Sequence, residues 1–418
     1  AAVPHGAAAY AYSDAPIPLD PRYTTAQPGD TVRFVNVRAI RNVPNYCSMP
    51  RDQVLRDNAL SYPAVVAAVS GKTVFAVDLR SPAAASFLSE TGRAYAHRAI
   101  AIADPLVIPV FRELFDARYE QPNGGGGRRF AVINDDYTAG AAAIASDGLT
   151  DQPQAWCGLA SEMQTTFFNS GVFTPDRDPR VMAGVLIHEL AHVAAYLTLS
   201  RERVGTAGFG FLSEPWSMVA EEVAMRMASG QPTRARLDRV GPSAPYDDNI
   251  DNGMWSELSG TGIFAHVYTQ APLMLMYTRE LLGHEGFTPE TATLFQRLVR
   301  RGYAPQSNES VMSALAAEAG TTSERLLDDY MIAAATDDLV AEDVALARRL
   351  PQLWTWDRTG GGATRNNVSR RMFVSGELSV APSGYAALYL MGDGERGVSL
   401  ELGNVSGKPF IARLIRLR

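Results

Sequence analysis

Two histidines stand four residues apart in the segment VLIHELAHVAAYL, Val185 to Leu197, with a glutamate beside the first. On a helix, positions four apart differ by about 40° in azimuth, so His188 and His192 project from one face a turn apart. Two imidazoles so placed reach one tetrahedral cation. Zinc takes nitrogen ligands at about 2.0–2.1 Å and, in catalytic sites, keeps one position open. Glu189 is rotated about 100° from His188. It is badly placed to ligate the same ion. It is well placed to take a proton from a water in the open position as that water attacks a carbonyl. The rest of the segment is apolar, and burying two imidazoles there without partners costs about 1–3 kcal/mol each. A single zinc ion removes most of that cost. We therefore read the segment as a metal site and not as a core helix with incidental histidines.

Such a site needs a third protein ligand. The all-histidine pattern HExxHxxGxxH requires Gly and His where this chain has Ala195 and Thr198, which excludes it. Carboxylates further on are the alternatives: Glu202, Glu214, Glu221 and Glu222. Glu202 falls at the end of the same helix and cannot easily turn back. Glu214 would lie in the first turn of a following helix, where an acid is also favoured by the helix dipole. Glu221 and Glu222 sit deeper in that helix, on the apolar stretch MVAEEVAM. A ligand on a helix body is held more firmly than one at a frayed end. We take Glu221 as the third ligand, with Glu214 and Glu222 as the alternatives.

HELAH followed by EPWSMVAEEVAMRM resembles the gluzincins, zinc peptidases whose third ligand is a glutamate on a second helix. In many of them that helix reads Glu, two residues, Ala, as Glu221 to Ala224 does here. The resemblance spans residues 128–285. It lacks the N-E-x-x-S-D and W-x-x-E-G forms of two large gluzincin groups. It implies a zincin-like catalytic domain, a small β-sheet plus a helical lobe. It also implies zinc held by His188, His192 and Glu221, with Glu189 as general base. The family fold places an edge strand before the HExxH helix, lining the substrate cleft, and MQTTFFNSGVF is the candidate for it. Zincins often add a donor that stabilises the oxyanion, and Tyr268 and His266 are the candidates here, with Tyr277 a core residue by preference.

These residues must be positioned by elements on either side. DTVRFVNVRAI and KTVFAVDLR read as strands, giving a β-rich N-terminal domain over residues 1–95. RRFAVINDD reads as a further strand. Helical periodicity dominates from Asp178 onward, with Asp178 as N-cap and Pro179 in the first turn. Ser213 can cap the next helix, and Thr321 with Glu324 has capping-box spacing. DRTGGGATRNN marks a linker, and the short strands after it form a small C-terminal β domain, residues 366–418. The expected class is α+β, with the zincin-like domain over residues 96–356 flanked by the two β-rich domains.

Composition narrows the partners. The chain has 418 residues, 46% hydrophobic and 20% charged, with a net charge of −7. That suits a globular protein and gives no electrostatic basis for binding nucleic acid. No uninterrupted apolar run approaches the roughly 20 residues of a membrane span. The small-residue and proline-rich start, AAVPHGAAAYAYSDAPIPLDP, reads as that of an exported protein after signal-peptide removal: secreted, periplasmic or cell-surface. Two cysteines, Cys47 and Cys157, are too few for a zinc site and are compatible with one disulfide. The PNGGGG run lacks the ending of a phosphate loop. NDD and YDDNIDN hold enough acids for a structural calcium, though not in EF-hand spacing. His284 lacks a second histidine, and His5 and His97 lack evident partners. The expected partner is a peptide or protein substrate. A zincin-like binding or adhesion module with weak or no catalysis is the competing reading.

Overall fold

The structure is a computed structural model. It describes residues 24–40, 42–44, 48–120, 128–138, 141, 143–145, 164–202, 210–229, 270–282, 292–300, 308–336, 370–372 and 387–389. The chain is a mixed α+β protein and divides into two compact units. The first comprises Ala1–Ala235 and Glu285–Gln306, the second Arg236–His284 and Ser307–Arg418.

In the first unit the strands are β1 (Thr31–Val35), β2 (Ser61–Ser70), β3 (Thr73–Asp78), β4 (Arg129–Ile133), β5 (Ala143–Ala145) and β6 (Gln164–Phe168). Its helices are α1 (Val37–Ile40), α2 (Arg51–Arg56), α3 (Ala84–Leu88), α4 (Glu90–Leu114), α5 (Asp135–Thr138), α6 (Pro179–Arg201) and α7 (Gly210–Ser229). After α8 (Gln270–Leu281), which belongs to the second unit, the chain returns to the first with α9 (Leu294–Arg300).

One six-stranded sheet runs in the order β1-β2-β3-β4-β6-β5. β1, β2 and β3 pair antiparallel; β3–β4 and β4–β6 are parallel; β5 returns antiparallel on β6. A parallel pair needs a crossover connection, usually helical. Between β3 and β4 that connection contains α3 and α4. The boundary expected at residue 95 is therefore corrected. That residue lies inside α4, and the leading strands are part of the same sheet as β4, β6 and β5. The chain divides instead where Arg236–His284 and Ser307 onward separate from the rest.

The sheet is apolar on both faces. Val32, Phe34, Tyr62, Ala64, Val66, Val74, Ala76, Phe130, Val132 and Phe167 form one buried cluster. On the other, Phe75 stacks on Phe87 of α3, which in turn meets Tyr95 of α4. Ser89 caps α4 by accepting from the Gly92 amide at 3.1 Å, which satisfies one orphan donor of the first turn. Gly92 is required there: a Cβ would fall 2.6 Å from the Phe87 Cα.

α6 packs on α4, on α7, and on strands β5 and β6. Asp178 opens it as expected, its Oδ1 accepting from the Arg180 amide at 2.9 Å. Met182, Ala183, Leu186, Ile187, Leu190, Ala191, Ala194 and Ala195 are all buried, so α6 is enclosed on nearly every side. α4 and α6 are each long and apolar enough to cross a bilayer by length and composition, but 78% of the apolar window of α6 is buried within the fold. α7 is anchored by Trp216, whose ring meets Phe115 and Phe295 at 6.2 and 5.5 Å. Burying side chains of this size stabilises by roughly 1.5–3 kcal/mol each, and this knot fixes where the start of α7 lies against α6.

In the second unit, α8 meets α11 (Ser323–Thr336) through Tyr277 and Tyr330, whose ring centroids lie 5.6 Å apart. α10 (Asn308–Glu318) packs on α11 through a turn at Gly320, φ 67°, a left-handed conformation suited to glycine. The cap of α11 is Thr322, whose Oγ1 accepts from the Arg325 amide at 3.2 Å, one residue later than the spacing of Thr321 and Glu324 suggests. Of the expected C-terminal strands, β7 (Arg370–Met372) and β8 (Ala387–Tyr389) are described, as a parallel pair.

Candidate metal centre

The site is built where α6 and α7 face each other. Gly184 of α6 lies against Glu221 of α7, while His192, two turns on, meets Ser213. The two helices therefore run antiparallel, and the first turn of α7 comes down beside the HExxH histidines.

His188 and His192 stand a turn apart with ring centroids 5.0 Å apart and planes at 80°. Glu214 closes the group. Its Oε2 lies 3.2 Å from His188 Nε2 and its Oε1 lies 3.6 Å from His192 Nε2. One donor atom from each of the three residues falls within 4.8 Å of the others. Ligands at about 2.0–2.1 Å from a tetrahedral ion sit about 3.3 Å from one another. The two carboxylate–imidazole separations, one from each oxygen of Glu214, lie on either side of that value, so this donor set could hold a small cation. The chemistry of the set, two neutral imidazoles and one carboxylate, matches that of catalytic zinc sites.

Behind the rings lies a second layer. His192 Nδ1 is 2.6 Å from Ser213 Oγ. His188 Nδ1 is 3.7 Å from Glu221 Oε2, a charge contact longer than a hydrogen bond. Glu221 is 2% exposed. Glu189 is buried beside His188 on α6 and is not a member of the three-residue group.

The carboxylate grouped with the two histidines is Glu214, one of the two alternatives to Glu221. Glu221 was expected as ligand for the rigidity of a helix body. In the structure it faces the Nδ1 side of His188, and Glu214 takes the Nε2 side of both histidines. Glu222 is buried on α7 and outside the group. Glu202 lies at the end of α6, where Arg300 Nε and Nη2 donate to it at 2.7 and 2.8 Å and Gln296 at 3.0 Å. Ser213 was expected as a helix cap. α7 begins earlier, at Gly210, which leaves the Ser213 hydroxyl to meet His192. Its place directly before Glu214 is the one sequence signal that could have marked it.

The strand expected at the edge of the sheet is also displaced. MQTTFFNSGVF contains β6, but β6 lies between β4 and β5. Among the described strands the edge on this side is β5, which packs on α6.

Tyr268, His266, His5, His284, Cys47, Cys157 and the YDDNIDN segment lie outside the described residues. Tyr277 is a buried core residue of the second unit, and burial holds its phenol well above its ordinary pKa. His97 is exposed on α4. In the NDD segment, Asp135 accepts from Ser81 Oγ at 2.6 Å and from the Ser170 amide at 2.6 Å. Asn134 donates to Asp78. Among the described residues, the group with metal-ligand spacing is His188, His192 and Glu214.

The fork from Arg300 holds the Glu202 carboxyl below the usual glutamate range, against an opposing effect of burial. A depressed carboxylate contributes stability above its unfolded pKa, and that contribution is lost as pH falls through the folded value. The ordinary value is 4.5. Urea midpoints of the wild type should therefore exceed those of Glu202→Gln at neutral pH. The gap should close below about pH 4; a gap that stays constant to pH 2 would contradict the pairing.

Compared with protein-family models and with curated protein sequences, the chain matches none.

Proposed function

We propose that this chain is a zinc-dependent hydrolase of peptide bonds, with a gluzincin-like arrangement of a HExxH helix and an antiparallel glutamate helix. The observation that carries the reading is the convergence of His188 Nε2, His192 Nε2 and the Glu214 carboxylate, with one ligand atom of each within 4.8 Å of the others. Bound there, zinc would supply Lewis-acid polarisation of a carbonyl and acidify a neighbouring water. Glu189, next to His188 on α6, would handle protons. It would take one from the attacking water and return it to the leaving amine. The apolar walls of α6 keep bulk water from the imidazoles and raise the weight of each charge at the site.

β5 supports the choice of substrate. Among the described strands it is the sheet edge next to α6, and an edge presents backbone groups to which an extended peptide can add as a further strand. A polypeptide laid there would bring a backbone carbonyl towards the histidine helix.

The test is metal content with activity. Protein purified without chelators should carry close to one zinc per chain and cleave a quenched casein substrate. A strong chelator should abolish cleavage, and added Zn²⁺ should restore it. Chains that hold no divalent metal and leave casein and a broad peptide library intact would overturn the proposal.

A further inference from the structure

We propose that α7 orients both imidazoles from behind, so that Nε2 of each faces the ligand position, with Ser213 and Glu221 as positioning residues; this rests on the metal reading of the His188, His192 and Glu214 group. A neutral imidazole carries one proton. For Nε2 to offer a lone pair to a cation, the proton must sit on Nδ1, and whatever Nδ1 meets then holds the ring in that orientation.

On His192 the partner is Ser213, 2.6 Å from Nδ1. A hydroxyl can donate or accept, so Ser213 alone permits either tautomer. The Glu214 carboxylate resolves the choice for the bound state. It stands on the Nε2 side, and with a cation between them Nε2 must be bare. Nδ1–H then donates to Ser213 Oγ. On His188 the partner is an anion. The Glu221 carboxylate lies 3.7 Å from Nδ1 in a pocket where it is 2% exposed. A buried carboxylate accepts and never donates while ionised, so with a cation on the Nε2 side it draws the Nδ1 proton towards α7 by charge, across a contact longer than a hydrogen bond.

Gly184 shows that this approach is built into the helix pair. A Cβ there would lie 3.1 Å from both Cγ and Oε1 of Glu221. The glycine lets the Glu221 side chain lie against the α6 backbone one turn below His188. One helix thus supplies the carboxylate in front of both rings and a partner behind each.

The test compares Ser213→Ala, Ser213→Thr, Glu221→Gln and Gly184→Ala with the parent. Zinc affinity is read by competition with a chromophoric chelator. The Nδ1 protons are read in the zinc-loaded protein from ¹H–¹⁵N correlations of the imidazoles and their exchange with solvent. Ser213→Ala and Glu221→Gln should each weaken zinc about 10–100-fold. In the loaded protein each should speed solvent exchange of the Nδ1 proton of its own histidine, His192 or His188. Ser213→Thr should restore both readouts, because it keeps the hydroxyl. Gly184→Ala should act on His188 in the same direction as Glu221→Gln. Parental affinity and parental Nδ1-proton exchange in both Ser213→Ala and Glu221→Gln would overturn the inference. A parent that binds no zinc would instead defeat the metal reading on which the inference rests.

Discussion

Glu189→Gln should keep its metal and lose hydrolysis. The substitution preserves the shape of the side chain and removes its ability to take a proton. Positioned general bases contribute about 10²–10⁴-fold to rate, and a loss in that range is expected in kcat, with KM little changed. Metal content should stay at the parental level, because Glu189 stands outside the His188, His192 and Glu214 group. The two readouts must be taken on the same preparation. Full activity in the variant would remove Glu189 from the chemistry. Loss of the metal together with activity would make Glu189 a ligand and break the division of labour proposed for α6. An inert parent with a full complement of zinc would favour the metal-holding binding module over the enzyme.

The parts of this site that were legible in the sequence are those governed by local periodicity. His188, Glu189 and His192 lie within one helix, and the helix announces itself by its apolar filling, by Asp178 before it and by Pro179 at its start. The strands β1, β3, β4 and β6 were likewise visible as runs of β-branched and aromatic residues, whereas β2, with Pro63 and three alanines in its run, was not picked out. The joining of the strands into one sheet was not visible either. β3 pairs with β4 across α3 and α4, and no local pattern in KTVFAVDLR or RRFAVINDD states that partnership. The same reason moved β6 from the edge to the interior: β5 is three residues long, too short to stand out as a strand.

The third ligand was ambiguous for a related reason. Glu214 and Glu221 are two turns apart on one helix and share a face. Which one meets the Nε2 atoms depends on how far α7 is slid along α6. That slide is set by long-range packing, by Trp216 among Phe115 and Phe295, and by the gap at Gly184. A preference for ligands on rigid helix bodies cannot see it. The start of α7 was obscured as well. GFGFLSEP offers no polar cap before Ser213, so the serine looked like the helix terminus when it is already inside the first turn.

Glu214→Ala should therefore cost the protein its metal, while Glu221→Ala should only weaken it. Removing a group that supports a ligand lowers metal affinity about 10–100-fold. Removing a ligand should exceed that range, because the charge that balances the cation goes with it. The fold should tolerate the change. The Glu214 side chain is 32% exposed, so water replaces the lost carboxylate and no large cavity forms. Far-UV dichroism of Glu214→Ala should match the parent. Glu221→Ala behaves differently on both counts. It empties a buried space against Gly184 and α6, so its thermal midpoint should fall further than that of Glu214→Ala, yet it should retain the more zinc. The pattern sets the two carboxylates in opposite orders for stability and for affinity, which a general weakening of the site cannot imitate. If Glu221→Ala strips the metal and Glu214→Ala keeps it, the assignment of the Nε2-facing carboxylate is wrong and the ligand is the buried one.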